Sequence, residues 1–306
     1  MSTLTLKGPY WVTVRQYRRS IRVVAAGVLL SLAMMAWLRY WDGQTTGTYQ
    51  QDNGHAVLWI ALEWASTAMI SLPLLVGAFV AGPLVGREFE SGTYKLALTQ
   101  SVSPARWLGS KLLVAGAVTV GATVALIGVY RLGWANFTDS WSLRWYEPGT
   151  YTATGPVVVA QALLALGLGA LIGQLIRRTV TAMALTGLVT GLVLLVVSQF
   201  RWSLLPVKSM TGPLTEGITT VLPASSRETG SGLITTTGER LPLQACWERT
   251  KLWDVCPADM SIAGQYWDHH PSSHYWPIQL IETGIVLALA ALALFAAFRV
   301  LRARHA

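Results

Sequence analysis

Six long apolar stretches constrain this chain more than any other feature of its sequence. Each has at least about 20 residues, the length a helix needs to cross the roughly 30 Å hydrocarbon core of a bilayer. Hydrophobic residues make up 52% of the chain and charged residues 12%, with a mean hydropathy of +0.44. This composition is typical of a polytopic membrane protein. We therefore predict an all-α fold with six transmembrane helices, at residues 21–41, 56–83, 108–132, 155–176, 179–199 and 277–298.

The residues ahead of the first stretch predict a separate interfacial helix. Over residues 1–20, the aromatic residues Tyr10, Trp11 and Tyr17 interleave with arginines. An amphipathic helix of this kind lies at the membrane surface while its basic side chains reach lipid phosphates; a frayed basic leader is the alternative. Because no small-residue cleavage site follows the first apolar stretch, we expect that stretch to be retained and not removed as a signal peptide.

Lysine and arginine are distributed unevenly between the two sides of the predicted spans. An even number of spans places both termini on one side, and that side is much richer in basic residues than the short loops opposite, which carry only Arg39, Arg131 and Arg144. By the positive-inside rule, the basic side and both termini are cytoplasmic. The net charge of +8 therefore reflects topology and contact with anionic lipid, with no nucleic-acid partner. The residues on the basic side are Lys7, Arg15, Arg18, Arg19, Arg22, Arg87, Lys95, Arg106, Lys111, Arg177, Arg178, Arg299, Arg302 and Arg304.

Residues 200–276, between the fifth and sixth spans, form too long a connection for a hairpin loop. We expect an extracellular domain that caps the outer ends of the helices. The two cysteines of the chain, Cys246 and Cys256, both fall there, in a compartment where disulfides persist. The sequence predicts a disulfide between them, with two free thiols or a metal pair as the alternatives.

Three histidines close to the sixth span raise the hypothesis of a metal site. Pro271 disfavours a helix through His270, so His270 and His274 would not share the helical face that zinc ligands four residues apart require. We therefore predict that these residues and His269 lie on the surface at the membrane boundary and hold no metal. A weak metal site is the alternative.

Polar side chains inside the predicted spans are candidates for a substrate path. Burying an acid in hydrocarbon costs several kcal/mol unless it is paired or hydrated. Glu63 and Glu282 are therefore candidates for function. Both lie near the outer leaflet, within reach of water or Arg39. Substrate or cation contact, pairing between helices and exposure to water stay open as their uses. The candidate path residues are Glu63, Gln161, Thr186, Thr190, Gln279 and Glu282.

Small residues and one proline indicate how the spans pack. Small residues four positions apart let helices approach closely in lipid, either within one chain or at a dimer seam. Pro73 removes a backbone hydrogen bond in the middle of the second span and should kink it. The small-residue pairs are Gly77 and Ala81, Gly169 and Gly173, and Gly187 and Gly191.

A short charged segment between the second and third spans carries the most informative motif. Residues 86–111 read GREFESGTYKLALTQSVSPARWLGSK. This order resembles the cytoplasmic loop of bacterial ABC-2 type permeases, the membrane subunits of ATP-driven exporters. In that family the loop carries the coupling helix that docks on a separately encoded ATPase. The resemblance implies an ATPase-coupling role for Arg87, Glu88, Phe89, Glu90, Gly92, Thr93 and Leu96.

The sequence leaves two forms open for this segment. A helix over residues 88–98 would place Phe89, Thr93 and Leu96 near one face of an amphipathic element on the membrane surface. Gly92 costs roughly 1 kcal/mol inside a helix, which favours a break there, with Thr93 capping a second short helix. From the residues alone, a solvated loop whose charges only fix topology is the simpler interpretation.

The resemblance also implies partners and an energy source. The chain contains no GxxxxGK[ST] phosphate-binding motif, so we expect it to bind no cofactor, with ATP and Mg on a partner ABC ATPase present in two copies. A second permease chain, forming a homodimer, and membrane lipid are the other expected partners. The expected location is the plasma membrane.

These expectations define a function and its alternatives. The chain is expected to be a permease, not an enzyme, that exports a hydrophobic or amphipathic drug, lipid or peptide by alternating access. The alternative is a non-transporting protein of mechanotransmission, sensing or immunity that works with an ATPase. A membrane enzyme acting on lipid or peptidoglycan precursors is a third hypothesis, which lacks any legible acid-base constellation. The expected domains are residues 1–20 (interfacial helix), 21–199 (five spans, with the coupling loop at 84–108), 200–276 (extracellular domain) and 277–306 (sixth span and basic tail).

Overall fold

A computed structural model describes residues 8–44, 54–94, 103–137, 140–213, 222–223, 225–251 and 256–305. Within these ranges, six helical segments are long and apolar enough to cross a membrane. The prediction of a mostly helical protein with six spans is therefore confirmed. The α-helices are α1 Pro9–Gln44, α2 Gly54–Leu75, α3 Gly82–Ser91, α4 Pro104–Trp134, α5 Pro148–Thr154, α6 Val157–Ile176, α7 Thr179–Phe200, α8 Ala245–Thr250 and α9 Tyr275–His305.

The second span is one long helical segment with a π-helical turn inside it. The turn, Val76–Ala81, joins α2 to α3, so that the span runs from Gly54 to Ser91. It begins three residues after Pro73, whose ring nitrogen has no hydrogen to donate to the helix. At its end the Gly82 N–H donates to the Gly77 carbonyl, five residues back, as a π turn requires.

The first span differs from its prediction. Helix α1 is continuous from Pro9 to Gln44, so residues 9–20 are the first turns of the span and not a separate interfacial helix. The physical reason is in the sequence: no proline or glycine lies between Pro9 and Gly27, and nothing there ends a helix once it has begun. Residues 1–7 lie outside the described ranges.

Helix α6 is the centre of the bundle and the most buried of the six spans. It has no charged residue and is rich in alanine and glycine, so its neighbours can approach its backbone. It contacts α9, the second span, α7 and α4. In lipid, where apolar side chains gain little by meeting each other, such close packing is a main source of helix association.

Glycine contacts hold the second span against α6 and α7. A Cβ at Gly82 would lie 2.8 Å from the Met183 Cα, and one at Gly173 would lie 2.9 Å from the Gly86 nitrogen. A Cβ at Gly169 would overlap the Ala81 Cβ. The predicted small-residue pairs therefore serve packing within one chain.

The segment between α7 and α9 contains a β-sheet, which the sequence analysis did not predict. Its four antiparallel strands are arranged in the order β1-β4-β2-β3, with β4 between β1 and β2. Cys246 in α8 forms the predicted disulfide with Cys256, so that prediction is confirmed. We call this sheet with α8 the cap. Its strands are β1 Lys208–Gly212, β2 Arg227–Thr235, β3 Arg240–Pro242 and β4 Ile262–His270.

We predict that Gly169→Val destabilises the bundle. The new side chain would overlap Ala81 and push the second span away from α6, and overpacking of this kind costs about 1–3 kcal/mol or more. The midpoint of thermal unfolding in detergent measures the change. It is obtained from the fraction of purified protein that stays monodisperse as the temperature rises. Gly121→Val is the matched control, because a Cβ at Gly121 has nothing within 4 Å. Equal midpoints for the two variants would contradict this packing.

Candidate functional site

One end of the bundle gathers the predicted coupling residues. The start of α1, the end of α3, the start of α4 and the turn between α6 and α7 meet there through polar contacts described below. The end of α9 joins them, since Arg304 donates to the Gln174 carbonyl near the end of α6. We call this the basic end. It is the side that the positive-inside rule predicts to be cytoplasmic.

Glu88, in the last turn of α3, ties three helices together. Its Oε1 accepts from the Lys111 Nζ of α4 at 2.5 Å and lies 3.4 Å from the Gln16 Nε2 of α1. The Lys111 side chain is 5% exposed and that of Glu88 14%. The ammonium of Lys111 also lies 5.6 Å from the ring centroids of Tyr17 and Trp107, within cation–π range. A buried ion pair fixes geometry, because separating its members would leave a charge unpaired.

Glu90 ties α3 to α7. Its Oε2 accepts from the Thr179 N–H at 2.9 Å and from the Thr179 hydroxyl. Thr179 begins α7, so this carboxylate satisfies a free N–H at a helix N-terminus and interacts favourably with the helix dipole. The turn before Thr179 is tight, with Arg177 in the left-handed region at φ 53°. Glu90 therefore links α3 directly to the α6–α7 hairpin.

The other coupling residues divide into a buried anchor and an exposed surface. Phe89 is buried, and its ring stacks on Tyr94 at 4.4 Å and meets Trp107 edge-on at 6.1 Å. The side chains of Arg87, Glu90, Ser91 and Thr93 are exposed. The exposed charged and polar side chains are thus backed by a buried aromatic contact.

A single helix over residues 88–98 does not form in the described part of this segment. Glu88–Ser91 are the end of α3, and Gly92 caps it with φ 71°, a conformation that L side chains rarely adopt. The break at Gly92 is thus present, and the Thr93 hydroxyl lies 2.9 Å from that of Ser91. Leu96 lies outside the described residues, so its predicted role stays a prediction.

Glu282 of the predicted path lies in a buried ion pair. Its two carboxylate oxygens accept from Arg201, at 2.7 and 2.9 Å, and one also accepts from the Tyr151 hydroxyl at 2.9 Å. Glu282 has no exposed surface. Arg39 and water, the neutralising groups considered from sequence, are not its partners. The signal that could have identified Arg201 is its place directly after the fifth span, facing the same leaflet as Glu282.

The Gln279 side chain also bonds to a neighbouring segment of the bundle. Its Nε2 donates to the Tyr151 carbonyl at 2.6 Å and its Oε1 accepts from the Val157 N–H at 3.3 Å. These bonds tie α9 to the turn between α5 and α6. Gln279 and Glu282 are thus the two path candidates that share a neighbour, Tyr151.

The remaining path candidates do not gather around that neighbour. Thr186 and Thr190 of α7 are fully buried against the π turn, where a Cβ on Gly77 would lie 3.2 Å from the Thr190 Oγ1. Gln161 is buried in α6, and Glu63 is half-buried in α2. The structure therefore does not arrange the six residues as one continuous path.

The three histidines near the sixth span are not the surface residues predicted from sequence. His270 is fully buried and His269 is 6% exposed, while a 3₁₀ turn at Ser272–His274 brings the His270 and His274 Nδ1 atoms to 3.0 Å. Pro271 does prevent an α-helix here, but the tighter turn still lets the rings meet. Among the described residues, no group of three or more His, Cys, Asp or Glu side chains is placed to hold a metal ion.

The hydrogen bonds fix the protonation of His270. Its Nε2 lies 3.1 Å from the Trp202 carbonyl, which can only accept, so Nε2 carries the proton. The Nδ1 of this neutral ring then accepts from His274. Burial, and next the nearby His274, lower the pKa of His270.

Aromatic rings and two arginines join the cap to the helices. The guanidinium of Arg227, in β2, lies 4.1 Å from the ring centroid of Trp202, and that of Arg201 lies 4.1 Å from Tyr151. Trp145 meets both Trp202 and Tyr275 edge-on at 5.9 Å. Burial lowers the pKa of Arg227. The cap is therefore attached to the end of α7 by a side-chain contact as well as by the chain itself.

A large cleft opens between α1, the second span and α4, a feature that the sequence analysis missed. Its volume is about 1750 Å³, and its lining is mainly apolar. Arg87 and Glu88 of the coupling segment lie on its wall. None of the six predicted path residues lines it.

The six apolar helices and the polar contacts at the basic end define the class first: a multi-pass membrane protein. A family model described as ABC-2 membrane transporter related matches residues 44–201, more than half of the chain. The chain belongs to this family, whose members are the membrane subunits of ABC transporters and work in general with an ABC ATPase. A comparison with curated proteins finds no match.

We predict that Glu282→Gln strongly destabilises the protein. The variant leaves the charge of Arg201 buried and unpaired, which costs about 3–5 kcal/mol. The double variant Arg201→Gln with Glu282→Gln should lose less than the sum of the two single variants. Thermal unfolding in detergent measures all three, with Glu239→Gln at an exposed cap position as control. Additive effects of the single variants would contradict the pair.

We predict that acid weakens the cap through His270. A lowered pKa means that the folded protein favours the neutral ring, so this stability is complete above the ordinary pKa of about 6.5 and is lost as the pH falls through the lowered pKa. His274, His269 and Arg227 all oppose a proton on His270. Unfolding midpoints between pH 8 and pH 5 should decrease on the acid side, and less steeply in His270→Gln. Glu239→Gln, at an exposed position of the cap, should keep the slope. An unchanged slope in His270→Gln would contradict this role.

Proposed function

We propose that this chain is the permease subunit of an ATP-driven exporter in the plasma membrane. Family membership and the six spans support a permease. The observation that carries the proposal further is the pair of contacts at the basic end, where Glu88 and Glu90 connect one short helix to α1, α4 and α7. A partner that moves this helix moves three of the six spans.

The proposed energy source is a separate ABC ATPase in two copies, which binds ATP and Mg. Two permease chains form a homodimer above it, with their basic ends in the cytoplasm. When ATP binding closes the ATPase pair, the ATPase displaces the exposed surface around Arg87, Glu90 and Thr93. Transport then follows by rigid-body movement of helices, which needs few chemical groups in the spans.

The contacts at the basic end indicate which parts move together. The Glu88–Lys111 pair couples α3 to α4, and the Glu90–Thr179 bond couples it to α7. The π turn lies between this lever and the outer half of the second span. The substrate is a hydrophobic or amphipathic molecule, such as a drug, lipid or peptide, because the large cleft is apolar and reaches the basic end.

The second candidate function is mechanotransmission without transport. The contact between Arg227 of the cap and Trp202 at the end of α7 favours it, because a ligand on the cap would pull on the same helix that Glu90 holds at the other end. Export of an added amphiphile from vesicles that contain the complete complex separates the two functions. Hydrolysis without export would favour mechanotransmission.

The partner is tested first, by affinity purification of the tagged chain from its membrane and mass spectrometry of what accompanies it. We expect a P-loop ATPase in near-equal amount. Recovery of the chain without any ATPase would overturn the proposal.

We predict that Glu88→Arg and Glu90→Arg uncouple ATP hydrolysis from export in that purified complex. Reversal at residue 88 sets two cations against each other, and reversal at residue 90 removes the bond to α7. A coupling free energy of about 1–3 kcal/mol corresponds to a loss of export of about 5- to 150-fold, while the spans stay folded. Glu248→Arg, at an exposed position of the cap, is the matched control.

The Glu88–Lys111 ion pair can be tested by exchanging its two charges. Glu88→Arg with Lys111→Glu restores opposite charges in exchanged positions and should recover part of the lost export. Unchanged export in both single variants would show that these contacts carry no force. Purified protein that elutes as a single monodisperse species excludes unfolding as the cause.

A further inference from the structure

The cleft between α1, the second span and α4 lies between two levels at which these helices contact each other. Toward the cap, they meet in an apolar cluster that includes Met35, Leu38, Leu62 and Tyr130. From Ser31 of α1 the cleft continues as far as the level of Arg87, where the contacts of Glu88 with Lys111 and Gln16 bridge the three helices again. A molecule in this cleft would therefore lie at the depth of one leaflet, with one end at the membrane surface.

Small residues make the space. The side of α4 that forms the floor has Ser110, Ala115, Thr119 and Ala122 at helical spacing. On α1, a Cβ at Gly27 would have nothing within 4 Å. The cleft is thus a property of this sequence and not a gap between mismatched helices.

The walls are apolar and uncovered. Phe79, in the π turn, is 65% exposed and Leu75 50%, and Val24 faces them from α1. Apolar side chains of a transmembrane helix that no other helix covers face lipid tails, and in the cleft such a tail would have a helix on each of three sides. Because the cleft has the length of a leaflet, acyl chains are the groups that fit it.

The mouth is positive. Arg19 and Arg87 are exposed there, while Glu88, the one acid among the described residues that line the cleft, is already neutralised by Lys111. Trp11 and Trp107 also line this part, and Trp marks the headgroup level of a membrane. A phosphate would meet two guanidinium groups, its preferred partners in proteins.

We propose that this cleft binds one anionic phospholipid from the leaflet at the basic end. The phosphate lies at Arg19 and Arg87, and the acyl chains lie along Val24, Leu75 and Phe79. The binding does not rest on the proposed transport, because it requires neither ATP nor an ATPase. It assigns a ligand class to a cleft that the family match leaves open.

A second copy of the chain fits this cleft less well. In a symmetric contact through the cleft, each chain would bring Arg15, Arg18, Arg19 and Arg22 of its own α1 against the same cationic surface of the other. Like charges facing each other in this way oppose association. Charge complementarity therefore favours the anionic lipid.

The test is native mass spectrometry of the purified chain, released from nanodiscs. The nanodiscs contain dioleoylphosphatidylcholine and dioleoylphosphatidylglycerol at roughly 4:1, so that anionic lipid is the minor component. We expect one retained lipid per chain, enriched in the glycerol lipid. Gly27→Leu narrows the cleft where α1 lines it and should reduce retention. Gly121→Leu is its matched control, since Gly121 has the same free space around it but lies outside the cleft.

The charge at the mouth is tested separately. Arg19→Gln with Arg87→Gln should lower the preference for the glycerol lipid at least about fivefold, on the order expected for one surface arginine. Arg18→Gln with Arg299→Gln removes the same charge outside the cleft and should keep the preference. Raising the salt concentration should weaken the preference in the unmodified chain.

Two results would overturn the proposal. One is equal lipid retention in Gly27→Leu and the unmodified chain. The other is the formation of disulfide-linked dimers by Val24→Cys, which would show that a second copy occupies the cleft. The two natural cysteines are already joined to each other, so the new thiol has no partner within its own chain. Lipid retention together with failure to export, or to recruit an ATPase, would leave this site standing and remove the proposed function.

Discussion

Close backbone contact between the second span, α6 and α7 is the interaction on which the rest of the structure depends. Gly82, Gly169 and Gly173 place these helices so near each other that no side chain fits between them. In hydrocarbon, where apolar surfaces gain little by leaving lipid, this contact replaces the hydrophobic core of a soluble protein. It also explains why α1 and α4 are free to leave a cleft: the fold does not need their tight packing in that leaflet.

Charged side chains hold the two ends of this packed centre in different ways. At the cap end, Arg201 and Glu282 neutralise each other where neither is exposed to water, which fixes α7 against α9. At the basic end, Glu88 contacts α1 and α4, and Glu90 contacts α7. A buried ion pair therefore resists separation at both ends of the packed centre. The basic end adds exposed charged side chains beside its pair.

Features that depend on local sequence were predictable. Span length and hydropathy predicted six helices, residue spacing and compartment predicted the Cys246–Cys256 disulfide, and the backbone freedom of glycine predicted the break at Gly92. Features that depend on three-dimensional neighbours were not. Arg201 meets Glu282 across 81 residues, the cap strands pair in an order that the chain does not follow, and the cleft exists only where three helices diverge. The continuity of residues 9–20 with the first span was missed because an amphipathic pattern does not show where a helix stops.

The π turn at Val76–Ala81 sets how the rest of the second span, α3, is rotated about its own axis. An α-helix advances about 100° per residue, so one residue more or fewer in this turn would rotate α3 by that angle about its own axis. Glu88 and Glu90 would then point away from Lys111 and Thr179, although neither residue had been changed. The π turn therefore sets the direction in which α3 presents these two carboxylates, about two turns before them in the chain.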